Sequence, residues 1–554
     1  MPEAGGARSV QSRETTGKRA SLRLPPSPPG HHDRMSIRVH GFALRGIDAV
    51  PCEVEVDLSG RGLPRTTLVG LPDVAVREAI DRVQTAVANA GFAWPSGRVT
   101  INLAPADLRK EGPAFDLPMA LSVLAAGGAL RPVGRGRHSE LARWLIAGEL
   151  ALDGRVRPVR GAICLSILAR QAGFDRVMVA RENLAEASAV EGVQAVGVET
   201  LAQAVGVLAG TEQGAGVQAL GSAAPCPPAA VDFDRIKGQH GARRALCIAA
   251  AGMHNLLMIG PAGSGKTLMA RALPGLLPPM NLQERMEATR IHSCAGSLPP
   301  GGGLMATRPV RCPHHTASAA AMVGGGSVPR PGEVSLAHGG VLFLDEVAEF
   351  PRSVLEALRE PLEDGFVTVS RARGAVRFPA RALLVAAMNP TARGDLKAGG
   401  TVAMERYLER LSGPVIDRID LHVEVAAVPF DALMARRAAE GTADMRARVQ
   451  AASERAARRQ GPVPNATLAG PALDAAAPLD ARSSDLLRQS MDELGLSARA
   501  FDKVRRVART VADLEDTPQV QAEHVAEAIG YRLLDRFRGA CRSLAAAGAA
   551  VPGH

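Results

Sequence analysis

The chain has 554 residues and a net charge of +9, from 65 basic against 56 acidic side chains, with 46% hydrophobic and 3% aromatic residues. That length holds about three or four domains, and no run approaches the ~18 uninterrupted apolar residues a membrane helix needs. Seven scattered cysteines (52, 164, 226, 247, 294, 312, 541) with no Cys-x-x-Cys pair argue against a disulfide framework and suit a reduced cytoplasm, and so few aromatics argue against a base-stacking platform.

Residues 1–34 carry LPPSPPG, mixed charge and almost no large apolar residues, and read as a disordered tail without the apolar core of a signal peptide. Met35 opens the first patterned segment and is expected to be the true start. From 35 to 210 strand and helix patterns alternate. Residues 53–58 (EVEVDL) alternate acidic and apolar as a half-buried strand does, and 99–103, 145–150, 176–180 and 193–198 read as further strands. Residues 75–90 and 117–126 read as helices, so this is an α/β domain. Residues 211–230, rich in Gly, Ala and Pro, read as a linker. A second α/β unit spans 231–428, a mainly helical Ala- and Arg-rich segment spans 429–545, and 546–554 is a tail.

The second unit holds the strongest motif. Gly260, Pro261, Ala262, Gly263, Ser264, Gly265, Lys266 and Thr267 match GxxxxGK[ST], between a strand at 256–259 and an apolar helix at 267–277. Glycines let backbone N–H groups wrap phosphates, and the helix N-terminus adds a favourable dipole. Lys266 would reach the β- and γ-phosphates of ATP, and the Thr267 hydroxyl would ligate Mg²⁺. Only six lysines occur in the chain (18, 110, 237, 266, 397, 503), which makes one at a motif position conspicuous. Residues 341–346 (VLFLDE) read as a buried strand ending in two carboxylates. Asp345 would hold Mg²⁺ and Glu346 would polarise the attacking water. Residues 383–389 (LLVAAMN) form another buried strand, and its terminal Asn389 fits a group placed between Glu346 and the γ-phosphate. The alternative for Asn389 is a turn-forming residue before Pro390.

Asp345 and Glu346 followed by LEALREPLED, a hairpin and AAMNP resemble the magnesium-chelatase-like branch of the AAA+ ATPases. The stretches RCPHHTASAAAMVGGGSVPRPGEVSLAHGGVLFL at 311–344, RYLERLSGPVIDRIDL at 406–421, LSARAFDKVRRVARTVAD at 496–513, VGLPD at 69–73 and NLAPADLRKEGPAFDLP at 102–118 are similar to the ComM/YifB family within it. The resemblance covers about 35 to 540 and implies a central AAA+ P-loop domain with a C-terminal helical lid. It implies that Asn389 is the sensor-1 residue, Arg418 an arginine finger entering a neighbouring subunit's site, and Arg499 the sensor-2 arginine at the start of a lid helix. From its neighbours alone, Arg418 is an arginine paired with Asp417 or Asp420. A finger acting on a neighbour implies a homo-hexameric ring.

The N-terminal domain resembles the catalytic domain of Lon-type proteases, which use a Ser–Lys dyad. The nucleophile position in the Lys110 to Ala114 segment is Ala114, and the segment 154–161 runs into Ala162 and Ile163 with no lysine. Neither half of the dyad is present, so a scaffold or partner-binding role is expected. Cys312, His314, His315, His292 and Cys294 lack the spacing of a zinc site. The PHHTAS and GGG elements are assigned to an insertion near a ring pore. The segment after Asn389 lacks the cysteines the family often carries there. Residues 368–378 (TVSRARGAVRF) read as a hairpin, whose Arg371, Arg373 and Arg377 would suit a DNA backbone in a central channel. The implied activity is that of an ATP-hydrolysing ring motor, a DNA helicase or branch-migration factor in recombination during natural transformation. Its rivals are a metal-insertion ATPase subunit and an ATP-switched regulatory or chaperone-like assembly.

Overall fold

The computed structural model describes residues 37–59, 63–71, 73–108, 110, 112–130, 141–216, 231–326, 328–371, 374–389, 413–429, 440–494, 496–532 and 534–535. The expected tails, most of the linker, Arg373 and the RYLER stretch lie outside them. Residues 37–198 build a seven-stranded mixed sheet in the order Arg65–Val69, Arg98–Ala104, Asp48–Ser59, Ile37–Arg45, Trp144–Ile146, Arg176–Ala180, Gln194–Val198. The alternation read in EVEVDL is real: Val54 and Val56 are buried while Glu53 and Glu55 point outward, partly exposed. Helix Val74–Asn89 starts where Asp73 accepts a hydrogen bond from the Val76 N–H at 2.7 Å, a side-chain cap. Two differences from the sequence reading stand out. Arg65–Val69 is an edge strand whose half-exposed RTTLV carries no clear period. The strand read over 145–150 breaks after Ile146, and Glu149–Leu150 turns away to pair with Val156–Arg157.

The second unit is a five-stranded parallel sheet in the order Val310–Arg311, Val341–Leu344, Leu383–Met388, Leu256–Ile259, Leu421–Glu424. Its three central strands are buried apolar runs, as parallel strands covered on both faces must be. Helix Lys266–Ala272 is shorter than the apolar pattern suggested. Leu273–Gly275 tightens into a 3₁₀ turn at Pro274, which has no N–H to continue the ladder.

The N-terminal unit docks on this sheet's domain. Ile47, Ile163, Cys164 and Val190 share one apolar cluster with Ile291, Cys294, Val367 and Phe378. Arg290 pairs with Asp48 at 2.8 Å, and the Gly161 N–H donates to Ser293 Oγ at 2.8 Å. The arginine hairpin forms as read, with Phe366–Arg371 pairing antiparallel to Gly374–Pro379. Period 2 buries Val367, Val369 and Phe378 on one face against that cluster and leaves Arg377 exposed, its guanidinium 3.4 Å from the Phe366 ring centroid.

The C-terminal helices Thr442–Gln460, Ala481–Leu494, Ala498–Leu514 and Ala522–Gly530 pack on the P-loop core through Val449, Leu487, Val504, Val507 and Val511. Among the polar contacts that cross this junction is a buried clamp. Lys503 Nζ lies 3.0 Å from Asp420 Oδ1 and donates to the Ile419 carbonyl at 3.1 Å. His254 Nδ1 lies 3.6 Å from Asp420 Oδ2, which accepts the Asn255 N–H at 3.1 Å. Burial acts to raise the Asp420 pKa, but Lys503 and His254 outweigh it and hold the carboxyl well below the usual range. Breaking such a pair leaves a buried charge uncompensated, so Asp420→Ala is expected to destabilise the protein by about 3–5 kcal/mol. Because the folded pKa lies below the unfolded value, the clamp's contribution is present at neutral pH and lost as pH falls below about 4. Urea unfolding at pH 7 and at pH 3.5 checks both points: the gap between wild type and variant should shrink in acid.

Candidate functional site

The candidate site stands at the carboxyl ends of three adjacent parallel strands, where open α/β sheets bind ligands. Leu383–Met388 lies between Leu256–Ile259 and Val341–Leu344, with Met388 opposite Ile259 and Ala386 opposite Leu344. That register delivers Gly260, Asp345 and Asn389 to one edge. Gly260 has to be glycine, because a Cβ there would lie 2.0 Å from the Val425 carbonyl oxygen of the neighbouring strand. Gly265 has φ +93°, a left-handed turn that brings the chain into helix Lys266–Ala272. Between them, Ala262 and Gly263 are exposed and Ser264 is buried.

Lys266 is buried and folds over the loop. Its Nζ donates to the carbonyls of Gly260 and Pro261, both at 2.8 Å, and approaches Ser264 Oγ at 3.4 Å and Asn389 Oδ1 at 3.2 Å. Burial lowers its pKa, and the negative charges of Asp345 and Glu346 oppose that. The Thr267 hydroxyl donates to Asp345 Oδ2 at 2.8 Å. A hydroxyl and a carboxylate side by side are the hard oxygen donors that Mg²⁺ takes, so these residues fit the ion. Glu346 is a non-glycine residue at φ +50°, with its N–H on Asp345 Oδ1 at 3.0 Å. Left-handed backbone in a side-chain-bearing residue persists where its surroundings over-determine it, often at functional sites.

Lys266, Thr267, Asp345 and Asn389 are thus one hydrogen-bonded constellation. Arg418 and Arg499 belong to a second. Arg418 pairs with Glu363 rather than with either aspartate beside it, and its side chain is only 10% exposed. Arg499, at the start of helix Ala498–Leu514, lies 4.0 Å from the same carboxylate and is 65% exposed. Glu363 is held below its ordinary pKa by the Arg418 hydrogen bond first and by Arg499 further out. The backbone of Arg418 is fixed by Asn255, whose Nδ2 donates to the Arg418 carbonyl at 3.2 Å while its Oδ1 accepts the Leu384 N–H at 3.0 Å.

Other expectations fare differently. The structure does not gather the histidines and cysteines considered for a metal. His292 Nε2 lies 2.9 Å from the Leu336 carbonyl, and Cys294 Sγ lies 3.6 Å from Cys164 Sγ at the domain junction. The PHHTAS segment, expected near a pore, lies beside the paired acids, with His315 Nδ1 3.9 Å from Glu346 Oε2. In the N-terminal unit Ala114 sits in the 3₁₀ turn Pro113–Phe115, and Lys110 is fully buried with its Nζ on the Pro105 carbonyl. Of the hairpin arginines, Arg377 is placed as described, Arg371 ends its strand, and Arg373 lies outside the described residues. Sequence reasoning missed Glu363, Asn255, Asp420 and Lys503 as supports. The scarcity of lysine was the one available signal, for Lys503. No helix among the described residues is long and apolar enough to cross a membrane.

The comparisons agree with this architecture. Residues 232–433 match the family model for magnesium chelatase, subunit ChlI; residues 54–183 match that for subunit ChlI of Mg-chelatase, and residues 439–532 that for its C-terminal part. The chain is 42% identical to YifB of Salmonella typhimurium over 505 residues, covering 90% of this chain and 97% of the relative. It is 42% identical to competence protein ComM of Haemophilus influenzae over 507 residues, covering 90% and 98%. The magnesium-chelatase 38 kDa subunit of Cereibacter sphaeroides is 27% identical over 332 residues, covering 55% of this chain and 92% of the subunit. Near-complete coverage at that identity, with the P-loop, the paired acids and Asn389 at adjoining strand ends, shows that this chain belongs to the ComM/YifB family of magnesium-chelatase-like AAA+ proteins.

Proposed function

We propose that the chain is a cytoplasmic, ATP-hydrolysing homo-hexameric ring motor that acts on DNA, as a helicase or branch-migration factor in recombination during natural transformation. The observation that carries the ATPase part is the constellation of Lys266, Thr267, Asp345 and Asn389 at neighbouring strand ends. Lys266 and the loop amides hold the β- and γ-phosphates of ATP. Thr267 and Asp345 would hold Mg²⁺, which would supply positive charge against the phosphates. Glu346 takes the proton of the attacking water, and Asn389 orients that water against the γ-phosphate. Arg418 and Arg499, which converge on Glu363, serve the ATP of the neighbouring subunit as finger and sensor 2.

The DNA part rests on the likeness to a protein named for competence and on the hairpin, whose Arg377 is exposed. The likeness to the chelatase subunit is both weaker and shorter, 27% over 55% of the chain, which favours the motor over a metal-insertion subunit. The N-terminal unit is a Lon-type scaffold without a nucleophile, suited to holding a partner.

ATP turnover measured with and without single-stranded and branched DNA tests this reading. Turnover is expected to rise several-fold with DNA, and the rise should fade with added salt as phosphate contacts are screened. ATPase activity indifferent to every DNA at low salt would remove the motor and leave the ATP-switched assembly.

A further inference from the structure

Two thiols meet where the N-terminal unit docks on the P-loop unit. Cys164 Sγ lies 3.6 Å from Cys294 Sγ, across 130 residues of chain, and both cysteines are free. Cys164 stands in the first turn of helix Ala162–Ala172, and Cys294 in the last turn of helix Leu282–Ala295. The residue before each is pinned. The Ile163 N–H donates to Glu186 Oε1 at 2.8 Å, and Ser293 Oγ accepts the Gly161 N–H at 2.8 Å across the junction. Cys164 Sγ donates to the Ile47 carbonyl at 3.1 Å, and the Arg290 guanidinium donates to the same oxygen at 3.3 Å. The two thiols are not alike. A helix N-terminus and a nearby guanidinium favour a thiolate, and a helix C-terminus disfavours one. The hydrogen bond with Cys294 first, and then Arg290, lower the Cys164 pKa against its burial; the same bond and burial raise that of Cys294.

We propose that Cys164 and Cys294 form a modification site for hydroperoxides, at which oxidation joins the two units through a disulfide. Cys164 is the attacking thiol and Cys294 the resolving one. The Cys164 thiolate attacks one oxygen of hydrogen peroxide. The S–O bond forms, the O–O bond breaks, and the departing hydroxide takes up the proton that the thiol gave, leaving as water. The Cys294 thiolate then attacks the Cys164 sulfur. The S–S bond forms, the S–O bond breaks, and a second hydroxide leaves as water with the Cys294 proton. Each sulfur gives up one electron, and the two electrons reduce the peroxide to two waters. Burial selects the oxidant. Cys164 is 2% exposed and Cys294 7%, which shuts out a reagent the size of oxidised glutathione. Hydrogen peroxide is little larger than water, and local opening of the junction admits it. In a reducing compartment such a bond is transient and redox-sensing.

The test uses the full-length chain and needs no turnover. The reduced protein is exposed to hydrogen peroxide or to oxidised glutathione, alkylated in denaturant, and digested without reduction for mass analysis. Peroxide is expected to convert most of Cys164 and Cys294 into one linked peptide pair, two hydrogens lighter than the free peptides and released by a dithiol. The buried Cys52 and Cys247 should remain open to alkylation. Oxidised glutathione should give several-fold less of the pair. Cys294→Ser removes the resolving thiol and should leave Cys164 as a sulfenic acid that a 1,3-diketone captures. The wild-type result stands whether or not that variant folds. Free Cys164 and Cys294 at a peroxide dose that oxidises the exposed Cys312 would overturn the proposal. So would a link that forms only in denaturant, a link between two chains instead of within one, or equal yields from peroxide and oxidised glutathione. A folded Cys294→Ser variant with no capture at Cys164 would overturn the assignment of Cys164 as attacking thiol.

Discussion

Replacing Arg418 with Ala is expected to cut ATP turnover by roughly 10³–10⁵ while leaving ATP binding in place. Binding survives because Lys266 and the loop amides are untouched: Lys266 bonds Gly260, Pro261, Ser264 and Asn389, none of which contacts the finger segment through it. Turnover falls because the transition state loses a guanidinium that stabilises charge developing on the transferred phosphoryl group. Within one subunit that guanidinium rests on the Glu363 carboxylate, and Arg499 stands at 4.0 Å from the same group. Two arginines focused on one exposed anion are arranged to receive another anion, and the γ-phosphate of a neighbouring subunit is the candidate the family offers. The backbone beneath is rigid. Asn255 bonds the Arg418 carbonyl, and Asp420, two residues on, is clamped by Lys503 and His254. In the proposed ring only the side chain would have to change partner.

A mixing experiment separates this account from a local structural role. Arg418→Ala and Glu346→Gln subunits are each expected to be inactive alone. In a mixed ring some interfaces join an intact Glu346 to an intact Arg418 from the next subunit, so part of the turnover should return. If mass measurements establish mixed rings and no turnover returns at any ratio, Arg418 does not act across the interface as independent sites would require.

The P-loop core was legible because its strands are short, continuous apolar runs that end in motif residues. Leu256–Ile259, Val341–Leu344 and Leu383–Met388 are buried end to end, and each delivers a motif residue at the next position, Gly260, Asp345 and Asn389. Burial on both faces erases period 2 but sharpens the boundary with polar residues, which is where the chemistry sits. Less was legible where the cause is not local. The edge strand Arg65–Val69 is half-covered and pairs on one side only, so nothing in RTTLV marks a face. Asp420 meets Lys503 and His254 across long stretches of chain, and beyond the scarcity of lysine nothing local marks Lys503 as buried. The PHHTAS turn gave no sign of its contact with Glu346 for a related reason. It follows a two-residue strand, too short for any period, and only pairing with Val341 and Leu342 sets it beside Glu346. Arg418 was identified by resemblance to a family, and its Glu363 partner, on a helix after the paired acids, had no sequence signal at all.

Two substitutions at the P-loop edge should fail in different ways. Lys266→Ala removes the ammonium that reaches the phosphates and is expected to weaken ATP binding, with turnover falling as a consequence. Glu346→Gln keeps the side chain's size and its left-handed backbone and removes only the ability to take a proton. Loss of a general base costs typically 10²–10⁴ in rate, so this variant should bind ATP normally and scarcely hydrolyse it. An interaction made only in the transition state lowers kcat and leaves binding alone, whereas one made in the ground state raises the substrate concentration required. The two variants should therefore split cleanly when nucleotide affinity and single-turnover hydrolysis are measured on the same preparations. ATP-loaded rings should accumulate with Glu346→Gln and not with Lys266→Ala. Thr267 and Asp345, the proposed Mg²⁺ ligands, remain in both variants, so their loss cannot account for either failure. Undiminished hydrolysis in Glu346→Gln would place the base elsewhere on this sheet edge, and His315, the ionisable side chain paired with that carboxylate, would be the first residue to substitute next.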